Sequence, residues 1–296
     1  MIQYVKKMGG TRMDTAFLEL LEGIRCPFLT ILMCFFTLLG QELILVAVIA
    51  AVYFAVDKRF GERTAITVLT AASLNGIIKE GVKRPRPYVA GVVSRVEVDN
   101  FLVSTNMSGS YSFPSGHSMN SAAFFGQSAL TLKRKWVTVV CAAVTLLIML
   151  SRLYLGVHYP TDVLAGGVLG LTVAIMFSLL YNKSETLALY LAAALAVGFS
   201  LALFFMTGED TFSACGALVG CTFGILAERK YIRFSMPDTW WKGIIRVALG
   251  LLVILGLRAG LKLVLPALPF FRFLRYAVMI FIGMGVYPLC FKKLKI

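Results

Sequence analysis

The sequence predicts an all-α protein, a polytopic membrane bundle of about ten transmembrane helices. Three observations carry that expectation. The 296 residues are 58% hydrophobic and only 15% charged, whereas soluble chains are about 45–50% apolar and about 25% charged. Apolar runs close to the roughly 20 residues that a bilayer crossing needs recur along the whole chain. The 29 Lys and Arg residues fall mainly between those runs, with a bias toward alternate breaks.

The elements follow in order. Residues 13–25 place apolar and acidic positions at helical spacing. They read either as an amphipathic helix on the membrane surface or as an extension of the first span, and the shortness of that span favours the extension. Spans follow at 26–39, 42–57 and 62–82, the third ended by Pro85 and Pro87. Lys79 and Lys83, four apart, share a face at its end. The longest polar connection, 84–116, includes Asp99, Asn100, Ser104, Thr105, Asn106, Ser108 and Gly109, and its length suits a lid or binding loop. The next span, 117–132, starts behind Ser115, a good N-cap residue. Spans 136–153 and 162–181 follow, the second with Pro160 placed for a first helical turn. Four more spans, at 185–206, 211–227, 243–264 and 273–290, read as an appended bundle. Trp240 and Trp241 beside Lys242 form an interfacial belt there. Arg258, Lys262, Arg272 and Arg275 snorkel at span ends.

Charge orients the bundle. A cytoplasmic N-terminus puts Lys6, Lys7, Arg12, Arg25, Lys58, Arg59, Arg63, Lys133, Arg134, Lys135, Lys183, Arg229, Lys230, Arg233, Lys242, Arg246, Lys292, Lys293 and Lys295 inside, with both termini cytoplasmic. Lys79, Lys83, Arg84, Arg86, Arg95 and Arg152 then cluster on the outside against the bias, and a bound phosphate gives that cluster a local reason. The formal net charge of +14 does not mark a nucleic-acid binder, because no basic, aromatic-rich soluble domain accompanies it. The six cysteines are scattered without a CxxC pair and read as small buried apolar residues, not as a disulfide or zinc framework. The first 25 residues lack a short apolar core with a cleavage site, so insertion is expected to use internal spans.

The chain has two histidines, and both lie at polar breaks among basic, hydroxyl and carboxylate residues. Three motifs surround them. In Lys79-x6-Arg86-Pro87, Arg86 lies in an extended stretch where its planar fork meets phosphoryl oxygens. In Pro114-Ser115-Gly116-His117, a helix start aims backbone amides at an anion, and Gly116 lets a ligand approach the backbone. In Ser151-Arg152-x5-His158-x3-Asp162, a helix starting near Tyr159-Pro160 lets the Asp162 carboxylate reach one imidazole nitrogen. A carboxylate on Nδ1–H fixes the tautomer and leaves Nε2 as the nucleophile.

Together the three motifs resemble the type 2 phosphatidic acid phosphatase (PAP2) superfamily, which includes lipid phosphate phosphatases. The resemblance covers roughly residues 60–180. It implies a PAP2-like catalytic membrane domain, taken as six helices at 1–183, and says little about the four-helix C-terminal extension at 184–296. It also implies metal-independent hydrolysis of a lipid phosphate or diphosphate, with no cofactor and no metal site. In that scheme His158 attacks phosphorus, Asp162 orients it and His117 is the acid–base. Lys79, Arg86, Pro87, Ser115, Gly116 and Arg152 form the phosphate site. The expected partners are a lipid phosphate and the bilayer of the cell membrane, with no nucleic acid, and the active site faces the extracytoplasmic side. Two alternatives remain: a phosphotransferase using the same phosphohistidine, and a transporter or scramblase built on intramembrane polar residues.

Overall fold

The structure, a computed structural model, describes residues 11–98, 103–105, 107 and 109–294. Lys6, Lys7, Asp99, Asn100, Asn106, Ser108 and Lys295 lie outside the described residues. Within them the protein is helical, with no strand. Two compact units form: Met1–Leu45 with Ile78–Ile175, and Val46–Ile77 with Met176–Ile296.

The first unit begins with α1 (Arg12–Gly23), whose N-terminus is a capping box. The Thr11 hydroxyl accepts from Asp14 N, and the Asp14 carboxylate accepts from Thr11 N. Leu18 and Leu21 bury one face against Val93, Leu153, Tyr159 and Val163, worth about 1.5–3 kcal/mol for each leucine taken out of water. Met13, Phe17, Leu20 and Ile24 line the opposite, exposed face. α1 stops at Gly23 and α2 (Pro27–Leu39) starts afresh with Pro27 in its first turn. Residues 13–25 are therefore a separate surface helix, not the extension of the first span.

α3 (Glu42–Ala51, continued by a wider turn to Val56) follows a bend of 48° at Gly40–Gln41. The two runs expected as separate spans thus meet in a bent pair of helices, each shorter than a full crossing. Close packing explains the break: a side chain at Gly40 would collide with Ile148 and Ser121. α4 (Lys58–Val82) ends where Lys83 turns left-handed, with φ +53°. That turn leaves Lys83 exposed and off the face it was expected to share with Lys79. α5 (Gly116–Leu132), α6 (Lys135–Tyr154) and α7 (Pro160–Lys183) as far as Ile175 complete the first unit. A Cβ at Gly166 or Gly170 would strike the Ser115 or Met119 carbonyl, so both glycines allow α7 to press its backbone onto α5.

The second unit takes α3 from Val46, α4 as far as Ile77 and the end of α7, together with α8 (Glu185–Ala202), α9 (Glu209–Ala227), α10 (Trp240–Val264), α11 (Pro269–Phe281) and the short α12 (Leu289–Leu294). Gly216, Gly220 and Gly224 face the α11 backbone at Phe273, Ala277 and Phe281, the small-residue spacing that brings membrane helices together. Lys58, Arg63 and Arg229 gather with Glu62, Glu185 and Glu228; the Lys58–Glu228 pair is 2.5 Å and the Arg63–Glu185 pair 3.2 Å. Arg272 pairs with Glu209 and Asp210 at the α8–α9 turn.

Among the described residues six helices are long and apolar enough to cross a membrane: α6 to α9, α10 and α11 with its continuation. Counting the bent pair as one span gives a seventh. α4 and α5 fall short because they carry Lys58, Glu62, Lys79, His117, Asn120 and Gln127 along their lengths or are one residue too brief. Of the cysteines, Cys141, Cys215 and Cys221 are buried as expected, whereas Cys26 and Cys290 are exposed.

Candidate active site

All the residues singled out by the three motifs fall in the first unit. The 84–116 connection folds back on itself, with Ser112 N donating to Arg84 O at 2.8 Å. This brings Ser110 and Ser112 beside the buried stretch Ser151–Tyr159.

His158 is fully buried in the turn between α6 and α7. Its Nε2 lies 3.2 Å from Arg86 Nη1. A guanidinium only donates, so Nε2 carries the lone pair and the ring proton is on Nδ1. Arg86 is held by Ser110 O and Val157 O, both at 2.9 Å. Burial first, then the positive charges of Arg86, Arg152 and Lys79, hold the His158 imidazole well below its ordinary range, so it is neutral near pH 7.

Asp162 does not bond the imidazole directly, as its spacing suggested. Its Oδ2 is 3.7 Å from Nδ1. Ser112 lies beside both groups: its hydroxyl donates to Oδ2 at 2.5 Å and sits 3.5 Å from Nδ1. Tyr159 N donates to the same oxygen at 2.8 Å, and Arg84 Nη1 donates to Oδ1 at 2.6 Å. The turn at His158 and the first residues of α7 bring the carboxylate alongside the ring, but three other donors hold it.

Ser115 caps α5 as expected, its hydroxyl accepting from Ser118 N and Ser118 Oγ. Its own amide is occupied by Asp162 O at 3.0 Å. The donors left at this helix start are therefore the amides of Gly116 and His117, not that of Ser115. His117 Nε2 lies 3.0 Å from Gln41 Oε1, in the break between α2 and α3. Arg152 is fully buried; Nη1 donates to Thr37 Oγ1 at 2.8 Å and Nη2 faces Met107 Sδ at 3.6 Å, while Nε has no protein partner. Lys79 Nζ reaches Ser110 Oγ at 3.4 Å. Pro87 has no N–H to offer a phosphate, and its carbonyl accepts from Val92 N. Its contribution is the fixed backbone after Arg86.

Arg25 corrects the charge assignment. It donates to Tyr154 O at 3.0 Å and to Ser94 O at 2.9 Å. It therefore lies with the Lys79–Arg95 group, not opposite it.

The chain matches the family described as the PAP2 superfamily over residues 63–186. It matches a second description, PAP2 superfamily phosphatase, transmembrane extension, over 212–296. It is 35% identical over 161 residues to phosphatidylglycerophosphatase B of Bacillus subtilis, covering 50% of this chain and 73% of that protein. The chain belongs to the PAP2 superfamily. It is 28% identical to an undecaprenyl-diphosphatase of Sulfolobus acidocaldarius, covering 56% of this chain and 79% of that one. A crystal structure of a transmembrane PAP2-type phosphatidylglycerolphosphate phosphatase from Bacillus subtilis aligns with TM-score 0.49 at 27% identity, covering 62% of this chain and 94% of that one.

In this PAP2-superfamily phosphatase Arg86, Ser112 and Asp162 lie against the His158 imidazole, and the charges of Arg152 and Lys79 act on it. Sequence reading missed five residues that the geometry adds: Asp14, Gln41, Arg84, Ser110 and Ser112. Arg84 was visible as a basic residue inside the first motif, and Gln41 as a polar interruption between two apolar runs. Asp14, 148 residues before Asp162, left no local signal.

Proposed function

We propose that this phosphatase acts on a lipid phosphate or lipid diphosphate of the phosphatidate, phosphatidylglycerophosphate or undecaprenyl diphosphate type, through a phosphohistidine on His158. The observation that carries the reading is Arg152. It is a fully buried guanidinium held by a hydroxyl and a thioether, and among the described residues no carboxylate pairs with it. A buried cation without a counterion is costly. Three cations around a neutral imidazole suit the equatorial oxygens of a phosphoryl group in flight.

In this mechanism the Nε2 lone pair of His158 leaves Arg86 and attacks phosphorus in line. The bond to the leaving oxygen breaks, its electron pair stays on that oxygen, and His117 supplies the proton. Asp162, through Ser112, stabilises the positive imidazole. Water then attacks the phosphohistidine, His117 takes the water proton, and the P–N pair returns to Nε2. Lys79, Arg86, Arg152 and the Gly116 and His117 amides hold the oxygens.

We place the site on the extracytoplasmic face of the cell membrane. With the bent pair counted once and α4 to α11 each crossing, the chain makes about nine crossings instead of ten. Lys58, Arg59, Arg63, Lys133, Arg134, Lys135, Lys183, Arg229 and Lys230 remain on the cytoplasmic side, while Arg25 and α1 move to the side of the site. The N-terminal helix is then outside, and only the C-terminal end keeps its cytoplasmic assignment.

Purified protein in detergent with EDTA is expected to release inorganic phosphate from one or more of phosphatidate, phosphatidylglycerophosphate and undecaprenyl diphosphate. Failure on all three would sink the reading, and so would release that stops with EDTA and returns with a divalent metal. The pH–rate curve is expected to keep its plateau below the ordinary imidazole range. His158 attacks only when neutral, and its depressed titration moves the acid limb down. An acid limb above pH 6.5, the ordinary imidazole value, would contradict the buried neutral ring.

A further inference from the structure

Arg84 sits between two buried carboxylates. Nη1 donates to Asp162 Oδ1 at 2.6 Å and Nη2 to Asp14 Oδ2 at 3.2 Å. Its guanidinium also stacks on the Tyr159 ring, 4.0 Å from the centroid. Asp14 and Asp162 are 2% and 0% exposed, so each depends on these donors. Asp14 does a second job: Oδ1 accepts from Thr161 N at 3.2 Å and Oδ2 from Thr161 Oγ1 at 3.1 Å. A carboxylate from α1 thus caps the first turn of α7, the turn that carries Asp162.

We propose that Arg84 and Asp14 are positioning residues, a relay that holds the Asp162 carboxylate in place and fastens it to surface helix α1. The proposal rests on the roles given above to His158 and Asp162. Phosphoryl transfer to Nε2 leaves a positive charge on the ring, and Asp162 answers it only if it stays ionised and aimed. Three donors fix its plane, and Arg84 is the only charged one among those the geometry places on it. Without Arg84, both buried carboxylates lose the cation they share, and a buried charge without its partner is costly. Without Asp14, Arg84 loses its second anchor and α7 its cap. Neither residue approaches the phosphate cradle of Lys79, Arg86 and Arg152 by any contact described, so binding of the anion is spared. The same chain joins chemistry to the bilayer surface, because α1 turns Met13, Phe17, Leu20 and Ile24 outward.

The test compares wild type, R84M, R84K, D14N and H158A in detergent. It measures kcat and KM on a short-chain phosphatidate, and the inhibition constant of inorganic phosphate. R84M is expected to lower kcat about 10- to 100-fold, the usual loss when a supporting partner of a site residue is removed, with KM and phosphate inhibition held within about twofold. D14N should lose less. R84K should recover part of the loss, since a point charge restores the ion pair to Asp162 but not the bridge. Wild-type kcat in R84M and D14N, with H158A inactive, would overturn the relay alone. Loss of kcat together with phosphate inhibition would also overturn it, by showing a merely structural role. If R84M does not fold, R84K and D14N decide by the same criteria. An active H158A would instead bring down the mechanism on which the relay rests.

Discussion

His158→Ala is expected to lower phosphate release about a thousandfold or more, the scale seen when a covalent nucleophile is removed. The fold should survive. Arg86 keeps Ser110 O and Val157 O, and Asp162 keeps Ser112, Tyr159 N and Arg84, so no buried charge loses its last partner. The wild type, mixed with a labelled lipid phosphate and quenched in base, should retain label that is stable in base and lost in acid, as expected of phosphorus bound to imidazole nitrogen. The variant should retain none. His117→Ala differs in kind: it should still accumulate label from substrates whose leaving group needs no proton, because the attack step keeps its nucleophile. Wild-type turnover by His158→Ala, or equal labelling of the two proteins, would remove His158 from the chemistry.

The sequence made the reactive centre legible because its determinants are local. Ser115 caps the helix that starts at Gly116, and Pro160 starts the helix that brings Asp162 beside His158; each follows from a few neighbouring residues. The supporting layer was not legible for the opposite reason. Asp14, Gln41 and Ser112 meet the site across 147, 76 and 46 residues respectively, in contacts to Asp162's helix at Thr161, to His117 and to His158. The saturation of Asp162 by three donors depends on how the 84–116 connection folds back, which no spacing encodes. Two apolar runs read as separate spans meet at Gly40–Gln41 in a bent pair. Hydropathy registers the polar break but not its angle of 48°. Arg25, read as opposite the Lys79–Arg95 group, is held beside Ser94 and Tyr154 instead.

Arg152→Met is expected to lower activity and raise stability together. The guanidinium lies wholly out of water, and its hydrogen-bond partners are the Thr37 hydroxyl and the Met107 sulfur, neither of which neutralises it. Burying such a charge costs the folded state several kcal/mol even after relaxation. Methionine fills the shaft of the cavity without that cost. Thr37 stays satisfied, because its hydroxyl also meets Ser151 Oγ at 2.9 Å. The empty variant should therefore melt at a higher temperature than the wild type. Catalysis should move the other way. Removing one fixed donor from developing charge typically costs about 10²–10³ in rate, and here the donor is charged and desolvated. Inorganic phosphate supplies the internal control: it should raise the melting temperature of the wild type by binding the cradle, and raise that of the variant much less. A variant that melts lower and keeps its full response to phosphate would show that Arg152 braces the helices instead of holding the anion. Higher stability, weaker phosphate response and slower turnover in one protein would show that this buried charge is retained for the substrate at the expense of the fold.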